Sequence, residues 1–279
     1  MAPFWWLLLV GLGGFWWSRR RRQQGEMGRL VELERIRNEV VEDALSSQGH
    51  PEGVDLLVIM PAYNEAENLP VVLAAAPREV HGLKVRVVVC DDGSTDGTRE
   101  VALHHGAYVV RSDINLGGGQ ALKAGFLLAQ RVGIPLVVTL DADGQHRWED
   151  LPRVVGPLVQ GGAEVVVGSR FLGSSEGAEL IRALGLRFFN QVLTLLTGQV
   201  VTDCSSGYRG LRVSSLQKLH LIQARHHTAE LLIEAHHHHL KVVEVPITIV
   251  PRLSGESKKG ANWIYGLRFA DTIWSTWWR

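Results

Sequence analysis

The sequence contains little cysteine and no excess of charge of either sign. Cys90 and Cys204 are the only cysteines among 279 residues, too few for a disulfide framework, and their spacing does not suit a zinc site. This cysteine content favours a reducing compartment. Lysine plus arginine number 29, as do aspartate plus glutamate, so the net charge is +0. Because nucleic-acid-binding proteins usually carry a basic excess, we expect no nucleic-acid partner.

Two common glycine-rich nucleotide-binding patterns are also missing. Residues Asn115–Gln120 read Asn-Leu-Gly-Gly-Gly-Gln, and small residues there would let backbone amides approach an anion at a helix start. The segment lacks the Gly-x-Gly-x-x-Gly spacing, since Leu122 stands at the last position, and it lacks the Gly-Lys-Ser/Thr ending of a P-loop. Nicotinamide oxidoreductases and NTPases are therefore disfavoured.

The one long apolar run lies at the N-terminus. Residues 2–17 form an uncharged run of 16 with paired tryptophans at both ends, and Arg19–Arg22 follow. A helix of this length spans about 24 Å, less than the ~30 Å hydrocarbon core, so it is a short transmembrane helix or a partly inserted anchor. Because the positive charge follows the run, the positive-inside rule places the rest of the chain in the cytoplasm. A hydrophobic, disordered tail is the alternative.

From Asp55 onward, short β-branched runs alternate with helix-like segments. This alternation predicts an α/β domain in which parallel strands are joined by crossover helices. Ligands of such sheets gather at the carboxyl ends of the strands. The predicted strands are Leu56–Met60, Val85–Cys90, Ala107–Val110, Leu136–Leu140 and Val165–Val167, and the predicted helices are Glu65–Ala76, Asp96–His105, Gly119–Arg131 and Glu149–Gln160.

Polar motifs follow the first two predicted strands. The first motif is Pro61-Ala62-Tyr63-Asn64-Glu65, and the second is Asp91-Asp92-Gly93-Ser94-Thr95-Asp96-Gly97-Thr98. Carboxylates and hydroxyl groups at a strand end can hydrogen-bond the base and ribose of a nucleoside, while Asp96 is placed to cap the next helix. An ordinary turn is the alternative for the second motif taken alone, since turns prefer Asp, Gly and Ser.

The segment after the fourth predicted strand has the composition of a divalent-metal site. Asp141 and Asp143 stand two residues apart after this strand, and Gln145 adds an amide oxygen two residues later. Hard oxygen ligands of this kind suit Mg²⁺ or Mn²⁺, which keeps open positions for water and phosphate. A metal that bridges a diphosphate would neutralise the charge that develops on a departing nucleotide. An exposed acidic turn is the alternative.

Together these motifs resemble those of glycosyltransferase family 2 with the GT-A fold, closest to the polyprenyl-phosphate branch of dolichol-phosphate mannose synthase-like enzymes. The resemblance runs roughly from Asp55 to Lys259. It implies an α/β fold with a mixed sheet and helices on both faces. Further matching segments follow in the family's order: Gly168-Ser169-Arg170-Phe171, Asp203-Cys204-Ser205-Ser206-Gly207-Tyr208-Arg209, Glu244-Val245-Pro246-Ile247 and Arg252-Leu253-Ser254-Gly255-Glu256-Ser257-Lys258.

The resemblance implies four groups of site residues. A nucleotide sugar of the GDP-mannose or UDP-glucose type would be bound by Pro61, Tyr63, Glu65, Asp91, Asp92, Asp141 and Lys258. Mg²⁺ or Mn²⁺ would be held by Asp141, Asp143 and Gln145. A mobile loop over the diphosphate would carry Arg252, Ser257 and Lys258, and catalysis would involve Asp143, Arg252 and Lys258. The acceptor's phosphate would meet Arg170, Ser206 and Arg209, although isolated arginines are more often solvated surface residues.

The acceptor segment favours a phosphate acceptor. A polyprenyl phosphate is already an oxyanion near neutral pH and attacks the anomeric carbon without a general base, whereas a sugar hydroxyl needs one. The segment Ser205–Arg209 lacks the Glu-Asp or Asp-Asp pair of resembling hydroxyl-glycosylating enzymes. The first hypothesis is therefore transfer of a hexose, mannose or glucose, to polyprenyl phosphate, with the inversion that the resemblance implies. A hydroxyl-glycosylating transferase and a noncatalytic nucleotide-sugar-binding relative are the alternatives.

The C-terminal segment has the pattern of an amphipathic helix. Spacings of three or four residues place on one face Trp263, Leu267, Ala270, Trp274 and Trp277. Such a helix suits a membrane interface near a lipid acceptor, and a core-packed terminal helix is the alternative. For the run His236–His239, adventitious metal affinity at a helix end is favoured over a built metal site.

The chain is therefore expected to have four segments. A short membrane anchor with a basic stop (1–22) precedes an amphipathic connector helix (23–53), a GT-A catalytic domain (54–260) and a tryptophan-rich interfacial helix (261–279). We expect the protein to be membrane-associated, with its catalytic domain in the cytoplasm.

Overall fold

The computed structural model describes residues 27–176, 180–224, 226–254 and 262–279, with the backbone alone at 180–182 and 262–265. The predicted anchor (1–22) and the predicted loop residues Ser257 and Lys258 lie outside the described residues. Among the helices that are described, none combines the length and the apolar character needed to cross a bilayer.

The described residues form one mixed sheet with helices on both faces. The strands are β1 (Leu56–Ala62), β2 (Glu79–Val80), β3 (Leu83–Asp92), β4 (Tyr108–Ser112), β5 (Leu136–Thr139), β6 (Val165–Ser175), β7 (Arg209–Arg212) and β8 (Val242–Ile249). The helices are α1 (27–48), α2 (Leu69–Ala74), α3 (Thr98–His104), α4 (Gly118–Arg131), α5 (Leu151–Val159), α6 (Leu180–Thr197), α7 (Val213–Leu216), α8 (His227–His237) and α9 (Asn262–Trp277).

The strand order brings the polar motifs to one edge of the sheet. The order is β2-β3-β1-β5-β7-β6-β8, and β4 also pairs with β3. Strands β4, β3, β1 and β5 are mutually parallel, so their carboxyl ends lie along the same edge. Strand β7 runs antiparallel between β5 and β6, while β8 is parallel to β6. The motifs that follow β1, β3 and β5 therefore converge.

The sheet separates two apolar clusters. Along β1, alternate side chains enter opposite clusters: Leu57 and Ile59 pack on one face, and Leu56, Val58 and Met60 on the other. Helices α1, α4, α6, α8 and α9 cover the first face, and α2, α3 and α5 cover the second. Because both faces are covered, the central strands consist almost entirely of apolar residues.

The predicted α/β class and mixed sheet are confirmed, with local differences in element bounds. The predicted helix Glu65–Ala76 begins only at Leu69, because Pro70 fits the first turn of a helix and not its interior. Strand β6 continues to Ser175, well beyond the predicted Val165–Val167. Its second half pairs with β8 after an irregularity in the register. These extra pairs are long-range contacts that no local pattern indicates.

The contact between α4 and β1 generates a test of the packing. A Cβ at Gly125 would lie 2.4 Å from Ile59 Cγ2 and 3.0 Å from Cys90 Sγ, both closer than ordinary contact. Gly125→Ala should therefore lower the free energy of unfolding by about 1–3 kcal/mol. Gly185→Ala is the matched control, because it adds its Cβ to another helix where nothing lies within 4 Å. That change should raise the free energy of unfolding by up to ~1 kcal/mol.

Urea denaturation followed by circular dichroism measures both variants. Equal effects at the two glycines would contradict the close approach of α4 to β1.

Candidate active site

Hydrogen bonds join the segment after β1 to the segment after β3. The N–H of Asn64 donates to Ser94 Oγ, and the N–H of Thr95 donates to Asn64 Oδ1, each over 2.9 Å. The N–H of Glu65 donates to Thr98 Oγ1 over 2.9 Å. Asn64 adopts φ 53°, a left-handed conformation that asparagine tolerates better than most residues. The two predicted nucleoside-binding motifs therefore form one continuous surface.

Asp91 is buried beneath this surface. Its Oδ1 accepts the N–H of Ser94 over 2.9 Å, and its Oδ2 accepts Nη1 of Arg111 over 2.9 Å. Pro61 and Tyr63, both half-buried, flank the residue that pairs with Asp91 in the β1–β3 register. Asp91 thus supports the predicted nucleoside pocket from below, where its two oxygens already have partners.

Asp92 holds the glycine-rich loop before α4. Its Oδ1 and Oδ2 accept the N–H groups of Leu116 and Gly117, each over 2.8 Å. Burial raises the pKa of Asp92, and the two backbone hydrogen bonds oppose that rise. The residue is 3% exposed, so its main observed contribution is to position the loop. Its contact with a nucleoside stays a prediction.

Asp141 and Asp143 lie just beyond the carboxyl end of β5. The side chain of Asp141 is 40% exposed, whereas that of Asp143 is 8% exposed. Burial and, next, the nearby Asp141 carboxylate raise the pKa of Asp143. The N–H of Gln145 donates to Asp143 Oδ1 over 3.1 Å, and Nε2 of Gln145 donates to the carbonyl of Val250 over 3.3 Å. A cation beside the two carboxylates would offset their mutual repulsion.

The donor set fits Mg²⁺ or Mn²⁺. Mg²⁺ is usually held by one or two carboxylates together with water and substrate phosphates, and this edge of the sheet offers two carboxylates. In the described part of the chain, no group of three His, Cys, Asp or Glu side chains is arranged to hold a metal by itself. The substrate's diphosphate and water would therefore complete the coordination.

Arg252 links the predicted metal motif to the predicted nucleoside motif. Its Nη2 donates to Asp143 Oδ2 over 2.7 Å, and its Nη1 lies 3.7 Å from Glu65 Oε1. All three side chains are at most 19% exposed, so solvent and salt screen these ion pairs less than surface pairs. The sequence predicts Arg252 near the diphosphate, and its position between the two carboxylates is consistent with that.

The residues after Arg252 are also packed against the site. The N–H of Leu253 donates to the carbonyl of Asp143 over 3.4 Å, and the Leu253 side chain fills the space where a Cβ at Gly144 would lie. Gly144 also has φ 75°, which other residues rarely adopt. Ser254 Oγ lies 2.9 Å from Oδ1 of Asn68, which follows the predicted nucleoside motif by three residues. The described start of the predicted loop therefore covers the site.

His146 and Gly207 fix the position of Asp141. A Cβ at Gly207 would lie 2.7 Å from Asp141 Oδ1, so only glycine leaves room for the carboxylate. His146 Nε2 lies 3.5 Å from Asp141 Oδ2, and its ring packs edge-on against Tyr208 with centroids 5.2 Å apart. The role of His146 is not predicted from the sequence, although the residue directly follows the predicted metal motif.

Arg170, which is predicted to meet the acceptor's phosphate, pairs with a buried carboxylate. Its Nε donates to Asp203 Oδ2 over 2.6 Å, and its Nη2 donates to Ser205 Oγ over 3.3 Å. The Arg170 side chain is 17% exposed and the Asp203 side chain 0%. Below them, Glu244 accepts the N–H of Thr202 and so anchors this loop to β8. Arg170 is therefore a partly exposed side chain that a buried carboxylate holds in place.

A family model described as "Glycosyl transferase family 2" matches residues 57–220, more than half of the chain. The chain belongs to glycosyl transferase family 2. Among curated relatives, polyprenol monophosphomannose synthase of Mycolicibacterium smegmatis is 34% identical over 231 residues, which cover 78% of this chain and 86% of the relative. Dolichyl-phosphate hexose transferase of Haloferax volcanii is 34% identical over 204 residues, covering 73% and 86%. The predicted family is confirmed, and these relatives support the predicted branch.

Solved structures with the same fold include glucosyl-3-phosphoglycerate synthase from Mycobacterium tuberculosis in complex with Mn²⁺, UDP and glucosyl-3-phosphoglycerate. Its TM-score is 0.63 at 21% identity, over 85% of this chain and 82% of that one. At this identity the likeness shows the fold alone. The family 2 transferase described here therefore has a GT-A-like fold.

Two predicted acceptor residues of this transferase lie in its interior. Arg209 is 2% exposed and donates to the carbonyls of Ser206, Thr228 and Cys204 over 2.9, 2.6 and 3.1 Å. Burial lowers the pKa of Arg209 to about 10. Ser206 is itself 0% exposed. The prediction that these two side chains contact the acceptor's phosphate is therefore corrected, because the Arg209 donors hold backbone carbonyls of the segment 203–208 and of α8, and Ser206 Oγ accepts the N–H of Tyr208.

The loop before α8 packs against the start of α4, where the N–H of Gly119 donates to the carbonyl of Ala224 over 3.0 Å. Glu230, which is 0% exposed, accepts the N–H groups of Ile222 and Gln223 over 2.9 and 3.0 Å. Lys123 donates to the carbonyl of Leu221 over 3.0 Å, and burial lowers the pKa of Lys123 to about 8. Glu230 belongs to the helix that directly follows the loop, whereas Lys123 lies 98 residues before Leu221, a contact that no local pattern indicates.

The interior position of Arg209 generates a stability prediction. Arg209→Leu removes the side-chain donor from three buried carbonyls and leaves Asp203 without a nearby buried cation, so the free energy of unfolding should fall by about 3–5 kcal/mol. Arg147→Leu is the control, because the Arg147 side chain is 48% exposed. That change should stay within about 0.5 kcal/mol of the parent protein. Thermal and urea denaturation measure both. An Arg209→Leu protein of unchanged stability would contradict the structural role.

Proposed function

We propose that this family 2 transferase moves a hexose, mannose or glucose, from a nucleotide-diphosphate sugar to a polyprenyl phosphate, with inversion at the anomeric carbon. One observation carries the proposal. The Asp141–Asp143 pair follows β5 and meets Arg252 from the segment after β8, and the carboxylate beside the cation Arg170, that of Asp203, accepts hydrogen bonds on both oxygens. The names of the curated relatives support a polyprenyl or dolichyl phosphate acceptor.

The donor is proposed to bind at the convergent strand ends. Pro61, Tyr63, Glu65, Asp91 and Asp92 surround the nucleoside, the last two chiefly by shaping the pocket from beneath. Arg252 stands beside Glu65 and Asp143 and directs its positive charge toward the diphosphate. Lys258, outside the described residues, is proposed to add a second cation to the same loop. Cationic side chains of this kind stabilise the charge that develops on the leaving group.

A divalent cation, Mg²⁺ or Mn²⁺, is proposed as the cofactor, held by Asp141 and Asp143 with support from Gln145; when bound it would neutralise the diphosphate of the leaving group. The Mn²⁺ bound in glucosyl-3-phosphoglycerate synthase supports the use of a divalent metal by this fold.

The acceptor side determines the proposed type of attack. Asp203 is the carboxylate that pairs with Arg170; its Oδ2 accepts from Arg170 and its Oδ1 accepts the N–H of Ser205, so both oxygens already have partners. A phosphate acceptor needs no such base. One of its oxygens bonds to the anomeric carbon, the bond from that carbon to the diphosphate breaks, and the electron pair leaves with the nucleoside diphosphate. Arg170 orients the attacking phosphate.

The location of the reaction is also part of the proposal. Polyprenyl phosphates reside in membranes, and the apolar, tryptophan-flanked run at residues 2–17 is followed by four arginines. We propose that the enzyme is membrane-associated, with its catalytic domain on the cytoplasmic side.

Transfer assays test this function directly. The full chain, purified in detergent, is supplied with Mn²⁺ and a panel of GDP- and UDP-sugars, together with polyprenyl phosphate, the matching polyprenol or soluble sugars. We expect a lipid-linked product when polyprenyl phosphate is the acceptor, and no product with polyprenol or with soluble sugars. Product formed only with hydroxyl acceptors, or donor binding without turnover, would contradict the proposal.

Substitution of Arg170 tests the acceptor assignment. Arg170→Gln should raise the KM for polyprenyl phosphate about 10- to 100-fold, corresponding to the ~1.5–3 kcal/mol of a hydrogen bond to a charged group. The KM for the donor should change less than about twofold, since Arg170 is assigned to the acceptor alone. Arg99→Gln, at an exposed position of α3, is the control and should leave both constants unchanged. An equal rise in both KM values for Arg170→Gln would refute the assignment.

A further inference from the structure

Helices α6 and α9 lie side by side on one face of the sheet. The rings of Phe189 and Phe269 meet between them, with centroids 4.8 Å apart. Leu193 of α6 and Ile273 of α9 are buried in the same apolar cluster. Because both helices turn their buried sides toward the same cluster, their opposite sides face outward together.

The outward sides of the two helices are apolar and exposed. On α6 they carry Leu184, Phe188 and Leu195. On α9 they carry Leu267 and Trp274, and Trp278 directly follows the helix. These six residues, here named the α6–α9 face, are between 56% and 84% exposed. Their spacings of four and seven keep each set on one side of its helix. Soluble proteins rarely expose so many large apolar side chains together, so the face indicates an interaction surface.

The pattern differs from the one predicted for the C-terminal helix alone. Trp277, predicted on the interfacial side, instead packs against the rings of His236 and His237, with centroids 5.7 and 5.1 Å away. Trp278 takes its place on the exposed side. The side chain of Trp263 lies outside the described residues. Helix α6 was not predicted at all, yet it supplies half of the face.

The charges around the face suit an anionic lipid surface. Over residues 183–197, α6 contains Arg187 and no acidic residue. On α9, Arg268 and Asp271 are the exposed charges between Leu267 and Trp274. Asp271 stands four residues after Leu267 and three before Trp274, on the same side of the helix, and the two arginines outnumber it by one. Tryptophan and aliphatic side chains bordered by arginine are typical of helices that lie at a bilayer interface. Basic side chains near such a surface are attracted to anionic lipids.

The face also leads to the acceptor side of the active site. The guanidinium carbon of Arg187, one residue before Phe188, lies 5.8 Å from the centroid of the Phe171 ring. Phe171 directly follows Arg170, the cation assigned to the acceptor's phosphate. A lipid whose chain remains in a bilayer under the α6–α9 face would therefore have its headgroup close to Arg170.

We propose that the α6–α9 face docks on the surface of a bilayer that contains anionic lipid, and that this contact brings Arg170 to the phosphate of the acceptor. The apolar side chains enter the boundary between headgroups and acyl chains, and Arg187 and Arg268 remain at headgroup level. This docking rests on the proposed function for the identity of the acceptor, and it adds a second membrane contact to that of the N-terminal run.

Single-cysteine labelling tests the docking in the full chain. Native Cys90 and Cys204 are buried, and burial raises their thiol pKa values to about 12, so an introduced exposed cysteine is labelled selectively. Leu195→Cys and Trp274→Cys report on the face. Val71→Cys is the matched control, because Val71 is 58% exposed on α2, which covers the opposite face of the sheet.

Each variant carries an environment-sensitive nitrobenzoxadiazole label and is mixed with vesicles of phosphatidylcholine and phosphatidylglycerol in equal parts. The labels at 195 and 274 should brighten severalfold, shift to shorter wavelength and be quenched by doxyl-labelled lipid. The label at 71 should not change. If all three labels stay in water while the protein sediments with the vesicles, or if the label at 71 responds equally, docking through this face is refuted.

Two comparisons separate docking on lipid from self-association of the chain and from failure of the proposed function. Brightening without vesicles that grows with protein concentration would assign the face to a second copy of the chain and overturn the proposal. Transfer to polyprenyl phosphate is measured in the same samples. Labels that enter lipid without any lipid-linked product leave the docking supported and count against the proposed acceptor, whereas product formation with both labels in water counts against the docking alone.

Discussion

The arrangement of the active site depends on the ion pair between Asp143 and Arg252. The carboxylate stands at the end of β5, where burial and the neighbouring Asp141 make its negative charge unfavourable. The guanidinium comes from a segment 109 residues later in the chain and donates over 2.7 Å. Because the same guanidinium also lies near Glu65, one cation connects three parts of the chain: the strand ends of β1 and β5 and the segment after β8.

The site combines two kinds of segment: motifs at the strand ends that backbone hydrogen bonds hold in place, and a segment after β8 that lies over them. The motifs after β1, β3 and β5 are held by hydrogen bonds to backbone groups, as Asp92 holds the amides of Leu116 and Gly117. The segment after β8 lies over them through Arg252 and Leu253. The paired carboxylates suit a divalent cation, and Arg252 supplies positive charge beside it. In the proposed function, these groups would meet the charge of the leaving group, and the partly exposed Arg170 would meet the acceptor.

Parts of this picture follow from the sequence because they depend on local patterns. Apolar runs predict β1, β3 and β5, and the rule that parallel strands share a carboxyl edge predicts that Glu65, Asp91 and Asp141 lie near one another. Other parts depend on distant contacts. Arg209 stands in a polar motif, yet its burial results from carbonyls of the acceptor loop and α8, which no local pattern reveals. Likewise, the sequence of α6 is largely apolar, and its contacts with α8 and α9 decide which side of the helix is buried.

The central claim is that Asp141 and Asp143 hold a divalent cation at the donor's diphosphate, and Mn²⁺ binding measured by electron paramagnetic resonance tests it most directly. The titration is made with UDP and with GDP, on the parent protein, on Asp143→Asn and on Asp113→Asn, a control whose side chain is 99% exposed. The account predicts that Asp143→Asn weakens Mn²⁺ binding at least about tenfold and leaves the melting temperature near that of the parent, while Asp113→Asn changes neither. Unchanged Mn²⁺ affinity in a folded Asp143→Asn protein would contradict the account.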